Sequence, residues 1–188
     1  MDIIANEATI KGNQSEKLVM FDLDDCLIIS SAKIKILDPK TQQVIKELTP
    51  AEFNFFKPSK KTVLSFDDFM SADVLKKSEF IMHVYDQLKD YYKRGVHVGI
   101  VTARSSSKLI REFFLTNGID IHPDLVIAVN DPQYGYTGSI AQKKKQAIHD
   151  LIEQGYQDFI FFDDNDENLQ LAKETEKERG VKVQTVKV

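Results

Sequence analysis

Residues 17–27 read KLVMFDLDDCL, an apolar run of Leu18, Val19, Met20 and Phe21 that breaks off into three acids, Asp22, Asp24 and Asp25. A run this short, bounded by charge, fits a strand buried on both faces of a parallel sheet. In open α/β sheets ligands bind beyond the carboxyl ends of such strands, so the acids stand where chemistry would stand. Carboxylates this close resist joint ionisation unless a cation or hydrogen-bond donors compensate them, and the cluster therefore asks for a metal. The bland alternative is an acidic turn after a strand, and the rest of the chain has to decide.

Downstream, two period-2 runs (Ile34 and Ile36, then Val44, Ile45 and Leu48) flank Asp38-Pro39-Lys40-Thr41 and predict a β-hairpin. Residues 49–61 hold Pro50, Pro58 and the aromatic Phe53, Phe55 and Phe56, which predicts a packed loop with a helical turn at most. From 65 to 92 the pattern turns helical, with Phe80, Ile81, Val84, Tyr85, Leu88, Tyr91 and Tyr92 at three- and four-residue spacing and Gly95 as the stop. Residues 96–101 read as a second buried strand running into Thr102-Ala103-Arg104. Serines at 105–107 supply a cap for a helix with Leu109, Ile110, Phe113 and Phe114 on its apolar face, closed by Asn117-Gly118.

A third strand at 125–129 leads through a Gly- and Tyr-containing loop into a helix over 140–154. A fourth strand, 159–162, also ends in acids: Asp163, Asp164, Asp166 and Glu167. A charged helix, Gly180 and a closing strand at 181–188 finish the chain, while residues 3–10 support only a short edge strand. Strands alternating with helices of this length mean βαβ units and right-handed crossovers. The predicted class is α/β, a Rossmannoid parallel sheet flanked by helices. Residues 1–29 and 96–188 make its core. The interval 30–95 is too long for a simple crossover and is read as a cap-like insertion that carries the hairpin and leads into a core-packing helix.

At 188 residues the chain suits one domain with a modest insertion. Its net charge of -4, with 29% charged and 42% hydrophobic residues, argues against a protein whose main work is coating nucleic acid. Cys26 is the single cysteine, which excludes an intrachain disulfide and an all-cysteine metal site. No secretory leader pattern opens the sequence and no apolar run of ~18 residues occurs, so the expectation is a cytoplasmic protein without a membrane span.

Three of the predicted strands end in polar residues suited to a phosphoryl site: Asp22 and Asp24, Thr102, and Asp163 and Asp164. Parallel strands present their carboxyl ends to one edge, so these groups can converge although far apart in sequence. A basic residue is still needed against an anionic intermediate, and Lys143, Lys144 and Lys145 open the helix before the last acidic strand. Lys144 lies three before Ala147 and four before Ile148 and shares their inward face, with Lys143 as the alternative. Asp67 and Asp68 precede a helical pattern, where capping and dipole complementarity account for them. Arg104 can either reach substrate or form a surface salt bridge.

The order Asp-x-Asp, Thr after a strand, Lys, then Asp-Asp after a strand resembles the haloacid dehalogenase superfamily of phosphohydrolases, over 17–180 apart from the insertion. The resemblance implies Asp22 as nucleophile, Asp24 as general acid/base and Thr102 as the phosphate-binding hydroxyl, with Ala103 and Arg104 beside it in the substrate-binding segment. It implies Lys144 as the charge-neutralising lysine and a magnesium ion (Mg2+) held by Asp22, the backbone carbonyl of Asp24, and Asp164 or Asp163. Cys26 departs from the pattern, which usually has Thr there, and puts local hydrogen bonding in question. The hairpin and the Phe-rich loop look like inserts in phage-type members related to the phosphatase half of polynucleotide kinase-phosphatase. The implied substrates are a phosphorylated small molecule such as a nucleotide, or alternatively a nucleic-acid 3′ end held by Lys57, Lys60 and Lys61 with Phe53, Phe55 or Phe56 stacking on a base. Two rivals remain: a non-catalytic module that binds a phospho-ligand or partner, and a transferase that passes the phosphoryl group to an acceptor other than water.

Overall fold

The computed structural model describes residues 17–188, so the expected edge strand at 3–10 lies outside the described residues. The core is a five-stranded, all-parallel sheet made of β1 (Lys17–Phe21), β7 (His97–Thr102), β8 (Val126–Ala128), β9 (Asp158–Asp163) and β10 (Lys182–Lys187), in the order β10-β9-β1-β7-β8. β1 is central, and its Leu18, Val19, Met20 and Phe21 are fully buried. An apolar run covered on both faces is what a central parallel strand requires. Gly99 in β7 marks a close approach, since a Cβ there would meet the Leu125 carbonyl oxygen at 2.9 Å.

From β1 the chain steps outward to β7 and β8, then returns to the other side for β9 and β10. The reversal makes a topological switch point at the carboxyl end of β1, where open α/β sheets place their ligands. Right-handed crossovers put α3 (Met82–Lys93) and α4 (Ser107–Thr116) on one face and α5 (Ile140–Glu153) and α6 (Asp166–Arg179) on the other. Rings tie the first pair together: Phe80 stacks on Tyr85 at 3.8 Å and lies 5.4 Å from Phe113.

The insertion leaves the core through β2 (Ile28–Ile29) and re-enters through β6 (Glu79–Phe80), and these two pair antiparallel as a neck. A neck that brings the two ends together lets the sheet close as if the insertion were a short loop. Within it the predicted hairpin forms, β3 (Ile34–Leu37) against β4 (Val44–Leu48), and β5 (Val63–Ser65) adds to the other side of β3. α1 (Pro50–Phe55) turns the expected loop into a short helix. Thr49 and Glu52 build a capping box around Pro at the first position, a signal the sequence carried.

The helical reading that began at 65 is corrected. A 3-10 turn over Asp67–Met70 and α2 (Ala72–Lys76) come first, then β6, and the long helix starts only at Met82. Phe80, counted in the helical stripe, instead pairs across the neck with Ile28. Cross-strand pairing and packing on Tyr85 outweigh its place in the periodic pattern. Asp68 is also not a cap. Its carboxylate accepts from the Lys33 backbone N–H at 3.1 Å and from Lys35 Nζ at 2.6 Å, fastening the 3-10 turn to β3. Among the described residues no helix is long and apolar enough to cross a membrane.

Candidate active site

β1 and β9 run in register, Phe21 beside Phe162, with their rings stacked at 4.6 Å. The Asp22 backbone N–H donates to the Phe162 carbonyl at 2.8 Å, so the ladder carries on one residue past β1 and sets Asp22 next to Asp163. The next residues fold back tightly. Leu27 and Ile28 N–H groups both reach the Leu23 carbonyl, and Asp25 adopts a left-handed conformation at φ 59°. Asp tolerates that region better than most residues. Cys26 Sγ donates to the Phe162 carbonyl at 3.6 Å, so a thiol makes the local hydrogen bond that the Cys departure had put in question. Burial pushes that thiol well above its ordinary range.

Of the three lysines, Lys144 is the one that reaches the acids. A capping box of Ser139 and Gln142 starts α5, and Lys144 in its second turn is 2% exposed. Its Nζ donates to Asp22 Oδ1 at 2.6 Å and to Asp163 Oδ2 at 2.7 Å. Lys143 turns instead to Asn130 Oδ1, and Lys145 to Glu178.

The two acids after β9 have different surroundings. Asp163 is fully buried, and both its oxygens are occupied: Oδ1 accepts from the Asn165 backbone N–H and Asn168 Nδ2, Oδ2 from Lys144 and Asn168 Nδ2. Asp164 is only partly buried and forms no salt bridge among the described residues. Carboxylate oxygens of Asp22, Asp163 and Asp164 lie within 4.8 Å of one another.

Three carboxylates gather where one ammonium bonds two of them, and the electrostatics reflect it. Burial raises Asp22 to about 8; Lys144 offsets part of that, and neighbouring Asp163 adds to it. Asp164 is also raised, by burial first and then by Asp163 and Asp25. Burial alone would lower the Lys144 ammonium, but Asp22 and Asp163 outweigh it and hold the group above its usual value. The surplus negative charge is what a divalent cation would neutralise, and oxygen donors suit a hard divalent ion. The carboxylates of Asp22, Asp163 and Asp164 lie close enough together that they could hold such an ion.

Thr102, the last residue of β7, is 1% exposed, and its Oγ1 accepts from the Arg104 backbone N–H at 3.4 Å. Ala103 is exposed and its carbonyl accepts from Asn130 Nδ2. Arg104 is 3% exposed, so its salt bridge is not a surface one. The guanidinium grips Asp24 with two bonds, Nε to Oδ2 at 2.9 Å and Nη2 to Oδ1 at 2.7 Å. Sequence reasoning missed Asn168, which holds Asp163 from the first turn of α6, and Ser30, which accepts from Arg104 Nη2 at 3.1 Å. Neither an Asn in a charged helix nor a Ser after an apolar run carries a signal of its own.

In the insertion, Phe53 packs on Phe56 and edge-on against Phe66, while Phe55 is 88% exposed and the flanking Lys57, Lys60 and Lys61 are exposed too. A cavity of about 640 Å³ between α2, β6 and α4, lined by Leu75, Phe80, Leu109 and Phe113 among others, contains none of Asp22, Asp24, Asp163 and Asp164. The convergence of charged groups, rather than cavity size, marks the site. No family model matches this chain, and no curated protein matches it.

Proposed function

We propose that the protein is a cytoplasmic, magnesium-dependent phosphomonoester hydrolase that works through an aspartyl-phosphate on Asp22. The supporting observation is Lys144 buried between Asp22 and Asp163 at the carboxyl edge of β1 and β9, with Asp164 alongside. A magnesium ion would screen the repulsion between carboxylate and phosphate dianion. Asp22 attacks phosphorus in line; the Asp22 O–P bond forms as the bond to the leaving oxygen breaks, and that oxygen takes a proton from Asp24. Asp24, now ionised, takes a proton from water as the water oxygen attacks the same phosphorus, which releases inorganic phosphate and restores the Asp22 carboxylate. Lys144 and the Thr102 hydroxyl hold the phosphoryl oxygens as charge shifts onto them.

The substrate class in this reading is a nucleotide or other small phosphorylated metabolite. A second reading, a polynucleotide 3′-phosphatase, is favoured by one observation. Residues 30–66 carry seven lysines against three acids, a local charge of +4 in a chain of net charge -4, and Phe55 stands exposed among them. Basic side chains with exposed aromatics suit single-stranded nucleic acid.

The test is phosphate release from nucleoside 5′- and 3′-monophosphates, sugar phosphates and a 3′-phosphorylated oligonucleotide, each with magnesium, with EDTA and with Asp22→Asn. Magnesium-dependent release lost in Asp22→Asn is the expected result, and the ranking chooses between the two substrate classes. Release that persists in Asp22→Asn overturns the covalent route. A phosphorylated alcohol formed in place of phosphate, when alcohols are added, makes the protein a transferase, and silence across the panel favours a binding module.

A further inference from the structure

Arg104 spends its guanidinium on partners from three parts of the chain. Two bonds go to Asp24 beyond β1, a third goes from Nη2 to Ser30 Oγ just past the neck, and the fourth goes from Nη1 to the Phe69 carbonyl at 3.3 Å in the 3-10 turn. The guanidinium carbon also lies 5.2 Å from the centre of the Phe69 ring. Ser105, the next residue, donates to Met70 Sδ in the same turn. The turn is in its own right fastened to the hairpin through Asp68, Lys33 and Lys35. A continuous set of polar contacts therefore runs from the insertion sheet to the Asp24 carboxylate.

A planar fork that grips a carboxylate with two parallel bonds fixes direction as well as distance. With four of its five N–H donors committed, Arg104 has little left for a phosphoryl group. Building on the phosphatase reading, we propose that Arg104 is a positioning residue through which the insertion sets the orientation of Asp24, so that seating the insertion and presenting the acid to the leaving oxygen are one event. Substrate preference then depends on whether a bound molecule lets the 67–70 turn stay seated on Arg104, as well as on direct contacts.

The consequence is specific to the leaving group. Formation of the Asp22 O–P bond needs a proton from Asp24 only where the departing oxygen is a poor leaving group, such as an alkoxide. A nitrophenolate departs without one. The experiment compares kcat/KM of the full-length protein with an alkyl phosphate and with p-nitrophenyl phosphate, for wild type, Arg104→Lys and Ser30→Ala. Hydrogen exchange across 67–71 is measured on the same proteins.

Arg104→Lys keeps the charge but loses the fork. It is expected to lower kcat/KM about tenfold or more for the alkyl ester and less than about threefold for the aryl ester, and to speed exchange across 67–71. Ser30→Ala, a milder change that keeps Arg104 itself, is expected to move both readouts the same way by less. An equal loss for both esters, or a rise in KM with kcat unchanged, overturns the proposal and makes Arg104 a structural or substrate-binding group. If wild type hydrolyses neither ester, the exchange arm alone decides, and the phosphatase reading fails only if the substrate panel above is silent too: faster exchange in both variants upholds the link between Arg104 and the turn, and unchanged exchange overturns it.

Discussion

The site contains two buried cations used in opposite ways. Lys144 divides one ammonium between two carboxylates of the core, Asp22 and Asp163, and leaves negative charge over. Arg104 devotes a two-pronged fork to one carboxylate, Asp24, and passes two further donors to the insertion. A compact point charge suits the first task, because an ammonium can sit between two acceptors without a preferred plane. The planar fork suits the second, because it dictates the angle of the group it holds. One centre gathers three carboxylates around one ammonium; the other pairs one guanidinium with one carboxylate.

The largest expected effect concerns the first centre. Asp22→Asn removes the proposed nucleophile, and magnesium-dependent phosphate release is expected to fall at least about 10³-fold. The same change relieves the charge surplus, so the metal-free variant should melt higher than wild type at pH 8. An active and less stable variant would break the account of both nucleophile and charge.

Removing the cations sharpens the contrast. Lys144→Met leaves Asp22 and Asp163 facing each other, and breaking such a buried pair costs about 3–5 kcal/mol. Arg104→Met should cost less in denaturant unfolding, since the Asp24 side chain is 17% exposed where those of Asp22 and Asp163 are 8% and 0%. Added magnesium should restore stability to Lys144→Met and do little for Arg104→Met. The opposite pattern would show that the metal sits nearer Asp24 than Asp22.

Next in size is metal affinity. Asp164→Asn is expected to raise the magnesium concentration for half-maximal activity by ~10-fold or more, with the melting temperature of the metal-free protein unchanged or higher. No change in the magnesium titration would transfer the ligand role to Asp163.

pH gives a smaller, signed effect. The Asp22 pKa is raised in the folded state, so the folded protein holds a proton that the unfolded chain gives up near pH 4. Stability from this group is complete below the unfolded value and is lost as pH rises through about 8. The slope is at most about 1.4 kcal/mol per pH unit for one proton. Chemical denaturation of metal-free protein between pH 5 and 8 should show this fall, and Asp22→Asn should flatten it. The smallest expected effect is at Cys26: a fully buried thiol with a raised pKa should not react with a thiol reagent until the protein unfolds.

The insertion was harder to read than the core, and its residues show why. Strands β1, β7 and β9 were legible because their apolar runs are covered on both faces and stop at polar residues. In the insertion, side chains serve short-range pairings that periodicity does not encode: Phe80 joins a two-stranded neck, and Asp68 reaches back 35 residues to Lys33. Thr49 and Glu52, which cap α1, were the readable exception.

By itself the sequence determined that acids and a threonine would end neighbouring parallel strands, because strand polarity sends every carboxyl end to one edge. Only the tertiary structure decided where each lysine and each acid lies. Successive helix residues point about 100° apart, so Lys143, Lys144 and Lys145 face Asn130, the acids and Glu178, and the seating of α5 on the sheet chooses among them. Asp163, the last residue of β9, is buried against Lys144 and Asn168, while Asp164, just past the strand end, stays partly exposed. Arg104 finds Asp24 80 residues upstream, and Phe69 joins them, only once the insertion has folded over the edge of the sheet.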